Sequence, residues 1–420
     1  MSRFMLATMG SLGDLHPYIA VGRALKARGQ EALIASSAEY ETTVRSAGLD
    51  FAAVRPSLEA MGQRADVARR LFHPIRGAER LLREIVMPYL RPALADITQA
   101  SQGADLLVSH PLTFTVQLVA QQRQLPWVST VLAPMSFLSR HEPLVMAGPN
   151  LLQRAARVSP VVYDGLMQGV RWAVRRWEAP LHAYRRELGL PASAQVMAME
   201  GQFSPLGTLA LFDAPLASPQ SDWPQRTQVC GTPLFDGAPA APERLAELAQ
   251  FLQAGAPPLV FGLGSSVVWI AGDYWRHAMD AAQALGRRAI LLTGSAQLPA
   301  LPAGIKAFDY LPYSAVFPHA AAVVHQAGIG TLAQALRAGR PQLITPVSFD
   351  QPDNAARSAA LGLARVLPFT KVTAKRLATA LDGLLSDPAY AQAAGRVATA
   401  LAPVDGAAVA AEALIRLVAP

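Results

Sequence analysis

Three short clusters in this chain combine residue types and spacings that could do chemistry. Residues 323–331 read Val-Val-His-Gln-Ala-Gly-Ile-Gly-Thr, an apolar β-type run that ends in small residues and then opens a helical segment from Thr331 to Ala338. That order turns backbone N–H groups and a helix N-terminus toward one point, which suits a phosphate. The second cluster, Asp350-Gln351-Pro352-Asp353-Asn354, follows the apolar run Leu343-Ile344-Thr345-Pro346 and places a carboxylate and amides where a neighbouring strand would end. A phosphate cradle beside groups able to hold hydroxyls points to a nucleotide-sugar site. The third cluster is the loop Gly10-Ser11-Leu12-Gly13-Asp14-Leu15-His16-Pro17, which follows the apolar run Phe4–Met9. Its glycine spacing does not match a dinucleotide fingerprint. Asp14 there has a plain structural use as the cap of a helix beginning near Pro17.

The elements that must position these clusters alternate. Strand Phe4–Met9 leads to a helix in which Tyr18, Val21, Gly22 and Leu25 share one face, closing near Gly29. Strands at Glu31–Ala35 and Phe51–Val54 flank a helix at Ala38–Ala47, and further strands are expected at Asp105–His110 and Pro126–Leu132. This rhythm implies parallel pairing with right-handed crossovers. The stretches Leu58–Leu94 and Pro149–Leu190 read as helical insertions. A proline-rich texture around Asp213–Pro242 marks a linker, placed at 226–242. A second series follows, with strands at Leu259–Leu263, Ala289–Thr293 and Gln342–Thr345 and a helix at Tyr274–Leu285. The expected fold class is α/β: an N-terminal domain over 1–225, a C-terminal domain over 243–402 and a last helical segment over 403–420. Two Rossmann-like halves facing across a cleft would bring the strand ends of each to a shared site.

Bulk properties bound the partners. A chain of 420 residues, half of them hydrophobic, is long enough for two cores. It has no apolar run of membrane-spanning length, and the start of the chain reads as a first strand, not a signal peptide. The single cysteine, Cys230, forms no internal disulfide and fits a reducing compartment. These features lead to an expected cytoplasmic location. The net charge of +7 comes mainly from arginines spread along helical segments such as Arg69, Arg70, Arg76, Arg80 and Arg83. No basic tract interleaved with aromatics supports nucleic-acid binding; a weak attraction to anionic membrane surfaces at the inner face is a peripheral-contact expectation that the charge allows. No Cys/His cluster has metal-ligand spacing, and neither a Gly-x-Ser-x-Gly elbow nor a Walker loop occurs.

The segment from Tyr310-Leu311-Pro312 through Asn354 resembles the donor-binding signature of bacterial family 1 glycosyltransferases, inverting enzymes of the two-domain GT-B fold. Within that family it is most similar to the branch of rhamnolipid rhamnosyltransferases and sterol-type glucosyltransferases. The family's usual block is His-His-Gly-Gly-x-Gly-Thr; here the second His is Gln326 and the first Gly is Ala327. Gln326 can donate through its amide but never carries a positive charge. The resemblance implies that His325, Gln326, Gly328, Gly330 and Thr331 meet the donor diphosphate. It implies further that Asp350 and Gln351 hold sugar hydroxyls, that Tyr310 and Leu311 meet the base, and that Gly264, Ser265 and Ser266 form a second donor loop. In the first loop, Gly-Ser-x-Gly-Asp-x-x-Pro resembles the opening of this branch. Asp14 then stands where other branches keep a His base, and His110 where they keep its supporting carboxylate. Such a pair can deprotonate a hydroxyl, with either partner as the direct base. A His at a strand end satisfied by local backbone is the plainer reading of His110.

Acceptor contacts are expected from Gly13, His16, His110, Pro134, Met135, Phe137 and the Pro149–Leu190 region. The implied reaction moves glucose or rhamnose from a UDP- or dTDP-sugar to a hydroxyl of a hydrophobic lipid, polyphenol or terpenoid. It needs no cofactor beyond the nucleotide-sugar co-substrate and no metal. Two other readings share the cradle: a nucleotide-sugar epimerase or hydrolase, and a catalytically silent activator of a partner protein.

Overall fold

In a computed structural model, which describes residues 1–148, 151–294 and 296–418, the chain divides into two units. The first comprises residues 1–235 and the terminal segment from 405, and the second comprises 236–404.

The first unit is built on a seven-stranded sheet: β1 (Arg3–Ala7), β2 (Glu31–Ser36), β3 (Asp50–Ala53), β4 (Leu106–Ser109), β5 (Trp127–Val131), β6 (Thr208–Ala210) and β7 (Thr227–Val229). All pairs are parallel, in the order β3-β2-β1-β4-β5-β6-β7, with Phe4 opposite both Ala32 and Leu106. A parallel sheet is covered on both faces, so its central strands are apolar throughout. Phe4, Met5, Leu6 and Ala7 are accordingly all fully buried.

The helix after β1 spans Leu12–Lys26, starting well before the expected Pro17. Ser11, not Asp14, is its cap: Ser11 Oγ accepts from Gly13 N at 3.2 Å, and Asp14 three residues on accepts from Ser11 N at 2.7 Å. This reciprocal capping box outweighs the one backbone bond that Pro17 omits inside the helix. The Pro149–Leu190 segment forms helices at Leu151–Val158, Pro160–Trp177 and Ala179–Glu187, broken by the Ser159 cap and by Glu178; Pro149 itself lies outside the described residues. Glu178 is fully buried and accepts from Met197 N at 2.8 Å and Ala198 N at 3.0 Å, with His182 Nε2 at 2.9 Å. The helix Gly406–Val418 packs on Leu12–Lys26, with Arg28 paired to Glu412 at 2.8 Å.

The second unit carries β8 (Leu259–Gly262), β9 (Ala289–Leu292), β10 (Ile305–Phe308), β11 (Ala322–His325), β12 (Gln342–Ile344) and β13 (Ala364–Val366). Its order is β10-β9-β8-β11-β12-β13, again all parallel. The passage between units falls at Phe235/Asp236, and the chain returns at Val404/Asp405. Residues 227–229, read as linker in the sequence, are the edge strand β7, and Pro242 opens the helix Pro242–Gln253.

Glu178 gives a direct test of this packing. Glu178→Ala strands two buried amides and should cost about 2–4 kcal/mol in urea unfolding, whereas Glu187→Ala, which removes one exposed ion pair with Arg91, should cost less than about 1. Equal losses would contradict the tie assigned to Glu178.

Candidate active site

Each sheet reverses its strand order once, and an open parallel sheet leaves a crevice at such a switch point, beyond the strand ends. In the first unit the reversal lies between β1 and β4. Asp14 follows β1 and His110 follows β4, so topology brings together two residues far apart in sequence. Asp14 Oδ1 lies 3.4 Å from His110 Nε2. The other carboxylate oxygen accepts from Ser11 N and from Ser11 Oγ at 3.0 Å. Gly10 (φ +141°) must be glycine, because a Cβ there would collide with that carboxylate. His110 is 6% exposed, and its Nδ1 accepts from Leu112 N at 3.2 Å. This assigns the proton of the neutral ring to Nε2, aimed at Asp14. The Asp14 side chain retains 31% exposure, so it is the member of the pair that solvent or a ligand reaches. Behind them Tyr18 hydrogen-bonds Thr130, and burial first, then the Asp14 charge, push its phenol far above the usual range; it stays neutral.

The expected acceptor residues separate. Gly13 sits in the first turn of the Leu12–Lys26 helix. His16 packs its ring edge-on against Phe235 at 5.2 Å. Pro134 and Phe137 are buried, and Phe137 stacks on Trp223 at 4.0 Å beside Phe203 and Phe212, so its ring is spent on packing. Met135 is half-buried against the main core. A small cavity of about 30 Å³, about the share of one water molecule, borders the loops of Asp14 and His110; Met9, Val54, Val86, Leu90 and Leu112 line it together with Thr8, Ser37 and Arg55. Apolar residues following β1, β3 and β4 are the signal that could have found it.

In the second unit the reversal lies between β8 and β11. Gly264 (φ +65°) follows β8, and a Cβ on it would strike Gln326 Nε2, with Thr331 Oγ1 3.5 Å away. Gly328 stands at the start of the helix Ile329–Ala338, whose first intrahelical bond is from Leu332 N to Gly328 O at 3.0 Å. The amides of Ile329, Gly330 and Thr331 therefore precede the helical ladder. Gln326 is 5% exposed, and its Oε1 has no partner among the described residues. Ser265 is exposed and Ser266 half-buried beside this loop.

His325 spends its ring on internal partners. It is fully buried; Nε2 lies 3.0 Å from Gln342 Oε1, and Nδ1 accepts from Ala327 N at 3.1 Å. Both ring nitrogens thus serve the loop itself. Ala327 takes φ +65°, a conformation that glycine adopts freely and that costs alanine about 1 kcal/mol. Asn354 holds it: Nδ2 donates to Ala327 O at 2.9 Å and to Asp350 Oδ2 at 2.8 Å. Asp350 Oδ2 also accepts from Ile329 N at 3.1 Å, so this carboxylate stands at the N-terminus of the Ile329–Ala338 helix. Gln351 is buried, with Oε1 accepting from Val347 N at 2.9 Å. Leu311 is a core side chain that leaves only its backbone for contacts, and Tyr310, 44% exposed, donates to Asp236 O and Ala238 O.

Two units, each an open parallel sheet with a loop site at its switch point, have the architecture of the GT-B fold. Family models match twice: the C-terminal domain of erythromycin biosynthesis protein CIII-like proteins over residues 277–416, and the glycosyltransferase family 28 N-terminal domain over residues 4–102. The chain is 31% identical over 412 residues to the O-mycaminosyltylonolide 6-deoxyallosyltransferase of Streptomyces fradiae, covering 96% of this chain and 94% of the relative. It is 30% identical over 425 residues to the vancomycin aglycone glucosyltransferase of Amycolatopsis orientalis, covering 98% and 97%. In fold it is similar to a kitacinnamycin glycotransferase (TM-score 0.73, 21% identity, 99% and 98% covered) and to a spinosyn rhamnosyltransferase complexed with thymidine diphosphate (TM-score 0.71, 21% identity, 99% and 100% covered). The chain belongs to the bacterial family 1 glycosyltransferases.

Burial pushes the His325 imidazole from 6.5 down to about 4, against the opposing Gln342 hydrogen bond. Below about pH 6.5 the unfolded chain takes up a proton that the folded His325 refuses until about pH 4, so stability falls through that window as pH drops. The loss should reach about 3 kcal/mol. Urea unfolding from neutral to acid pH should show the slope in the wild type and a shallower one in His325→Gln; parallel curves would contradict the assignment.

Proposed function

We propose that this glycosyltransferase moves a hexose, glucose or a deoxyhexose such as rhamnose, from a UDP- or dTDP-sugar onto a hydroxyl of an apolar small molecule, with inversion and without a metal ion. The observation that carries the reading is the Asp14–His110 pair, in which the Leu112 amide leaves the ring proton facing the carboxylate. Asp14 is then the direct base and His110 the partner that orients it and steadies its charge. The acceptor O–H gives its proton to Asp14 as its oxygen bonds the anomeric carbon. The bond from that carbon to the diphosphate oxygen breaks on the opposite face, and the electron pair leaves with the diphosphate.

Charge growing on the leaving group needs preorganised donors. The Gly330 and Thr331 backbone amides, the Thr331 hydroxyl and the Gln326 amide supply them, with Gly264 leaving the room. Asp350, tied to that helix by Ile329 N and Asn354, is placed to accept from sugar hydroxyls. The relatives named above are, by name, transferases of O-mycaminosyltylonolide and of vancomycin aglycone, and thymidine diphosphate in one neighbour favours testing dTDP first.

Calorimetric titration with UDP and with dTDP in chelator should show binding of at least one, and chelator should leave turnover unchanged. Asp14→Asn should lower kcat by about two to four orders of magnitude with nucleotide affinity intact. Full activity in that variant would sink the role of Asp14.

Gln326 makes a separate prediction. Its amide is neutral at every pH, so Gln326→His should bind the same nucleotide increasingly better than wild type as pH falls through the imidazole range, by up to about tenfold. A variant-to-wild-type ratio that stays flat with pH would remove Gln326 from the diphosphate contacts.

A further inference from the structure

The helix Pro160–Trp177 is apolar on two faces. One face is buried through Tyr163, Met167 and Val174. Flanking that face, Val162, Leu166 and Val170 recur at every fourth residue, and the apolar surface continues past Gly165 and Gly169 to Val161 at 78% and Trp172 at 63% exposure. At 3.6 residues per turn these positions form a broad apolar stripe that covers about half of the helix circumference and runs about 17 Å along it. A stripe of that size turned to solvent marks an interaction surface.

Charge identifies what covers it. Residues 151–177 contain five arginines (154, 157, 171, 175 and 176) and one acid, Asp164. Arg154 and Arg157 are exposed near the start of the stripe and Arg176 at its end, its guanidinium 4.8 Å over the Trp172 ring, whereas Arg171 pairs with Glu200 and Arg175 donates to Ser193 O and Ala194 O. A second copy docked by two-fold antiparallel pairing would set arginines against arginines at both ends of the stripe, which disfavours self-association. An anionic lipid surface meets both halves of the pattern: acyl chains for the valines and leucine, phosphates for the arginines, and a headgroup-level position for Trp172. Among the described residues no helix is long and apolar enough to cross a membrane, so the contact lies in the plane of the surface.

We propose that the Pro160–Trp177 helix docks this enzyme on an anionic bilayer surface. The inference is independent of the donor and base assignments. The test is flotation of the full chain with vesicles of phosphatidylcholine alone and of phosphatidylcholine with phosphatidylglycerol. The chain should float with the mixed vesicles, release in high salt, and bind phosphatidylcholine alone at least about tenfold more weakly. Val162→Ser with Leu166→Ser, both at exposed positions, should weaken binding about tenfold or more at an unchanged thermal midpoint. Trp172→Phe should abolish a vesicle-dependent blue shift of tryptophan emission. Absence of flotation, equal binding by the double variant, or a dimer in light scattering that the double variant dissolves would each overturn the proposal.

Discussion

Everything in the two sites depends on the single reversal of strand order in each parallel sheet. Right-handed crossovers oblige successive strands to march one way from β1 and from β8, and the chain starts the other flank at β4 and β11. At that seam the loops leaving adjacent strands diverge to opposite faces, so neither covers the strand ends. Asp14 with His110, and Gly264 with Gln326, meet only because these loops are neighbours there.

Topology opens the crevices, and short polar ties set the positions of groups inside them. Asp14 is constrained twice, by the Ser11 capping box on one oxygen and by His110 on the other. In the second unit the Asn354 amide uses both hydrogens, one on the carbonyl of a left-handed alanine and one on the Asp350 carboxylate. Holding the Gln326–Thr331 loop and the Asp350 carboxylate through one side chain fixes their separation, which is the physical content of preorganisation for the donor site proposed there.

The loop proposed to hold the donor carries no cationic side chain of its own. His325 is kept neutral by burial and by its internal partners, and Gln326 is neutral by chemistry. In that proposal attraction for a diphosphate falls to oriented amides and a helix N-terminus, where Asp350 stands as an internal anion.

The sequence by itself determined the alternating architecture, most central strands and the loops that carry chemistry, because buried parallel strands are continuous apolar runs and phosphate loops need small residues. It did not expose β6, β7, β10 or β13: these are three or four residues long, and β7, β10 and β13 lie at or near sheet edges, where half-exposed positions such as Lys306 and Arg365 blur the pattern. The helix start at Leu12 was encoded locally in Ser11 and Asp14, yet Pro17 is an equally local signal pointing elsewhere, and only the folded hydrogen bonds rank them. What tertiary structure alone decided are the facts that need distant partners. Gln342 on a neighbouring strand takes up His325 Nε2, Trp223 takes Phe137 into a core, and the pairing of β1 with β4 brings His110 to Asp14. A residue's type states which bonds it can make; its burial and neighbours state which of them remain for a substrate.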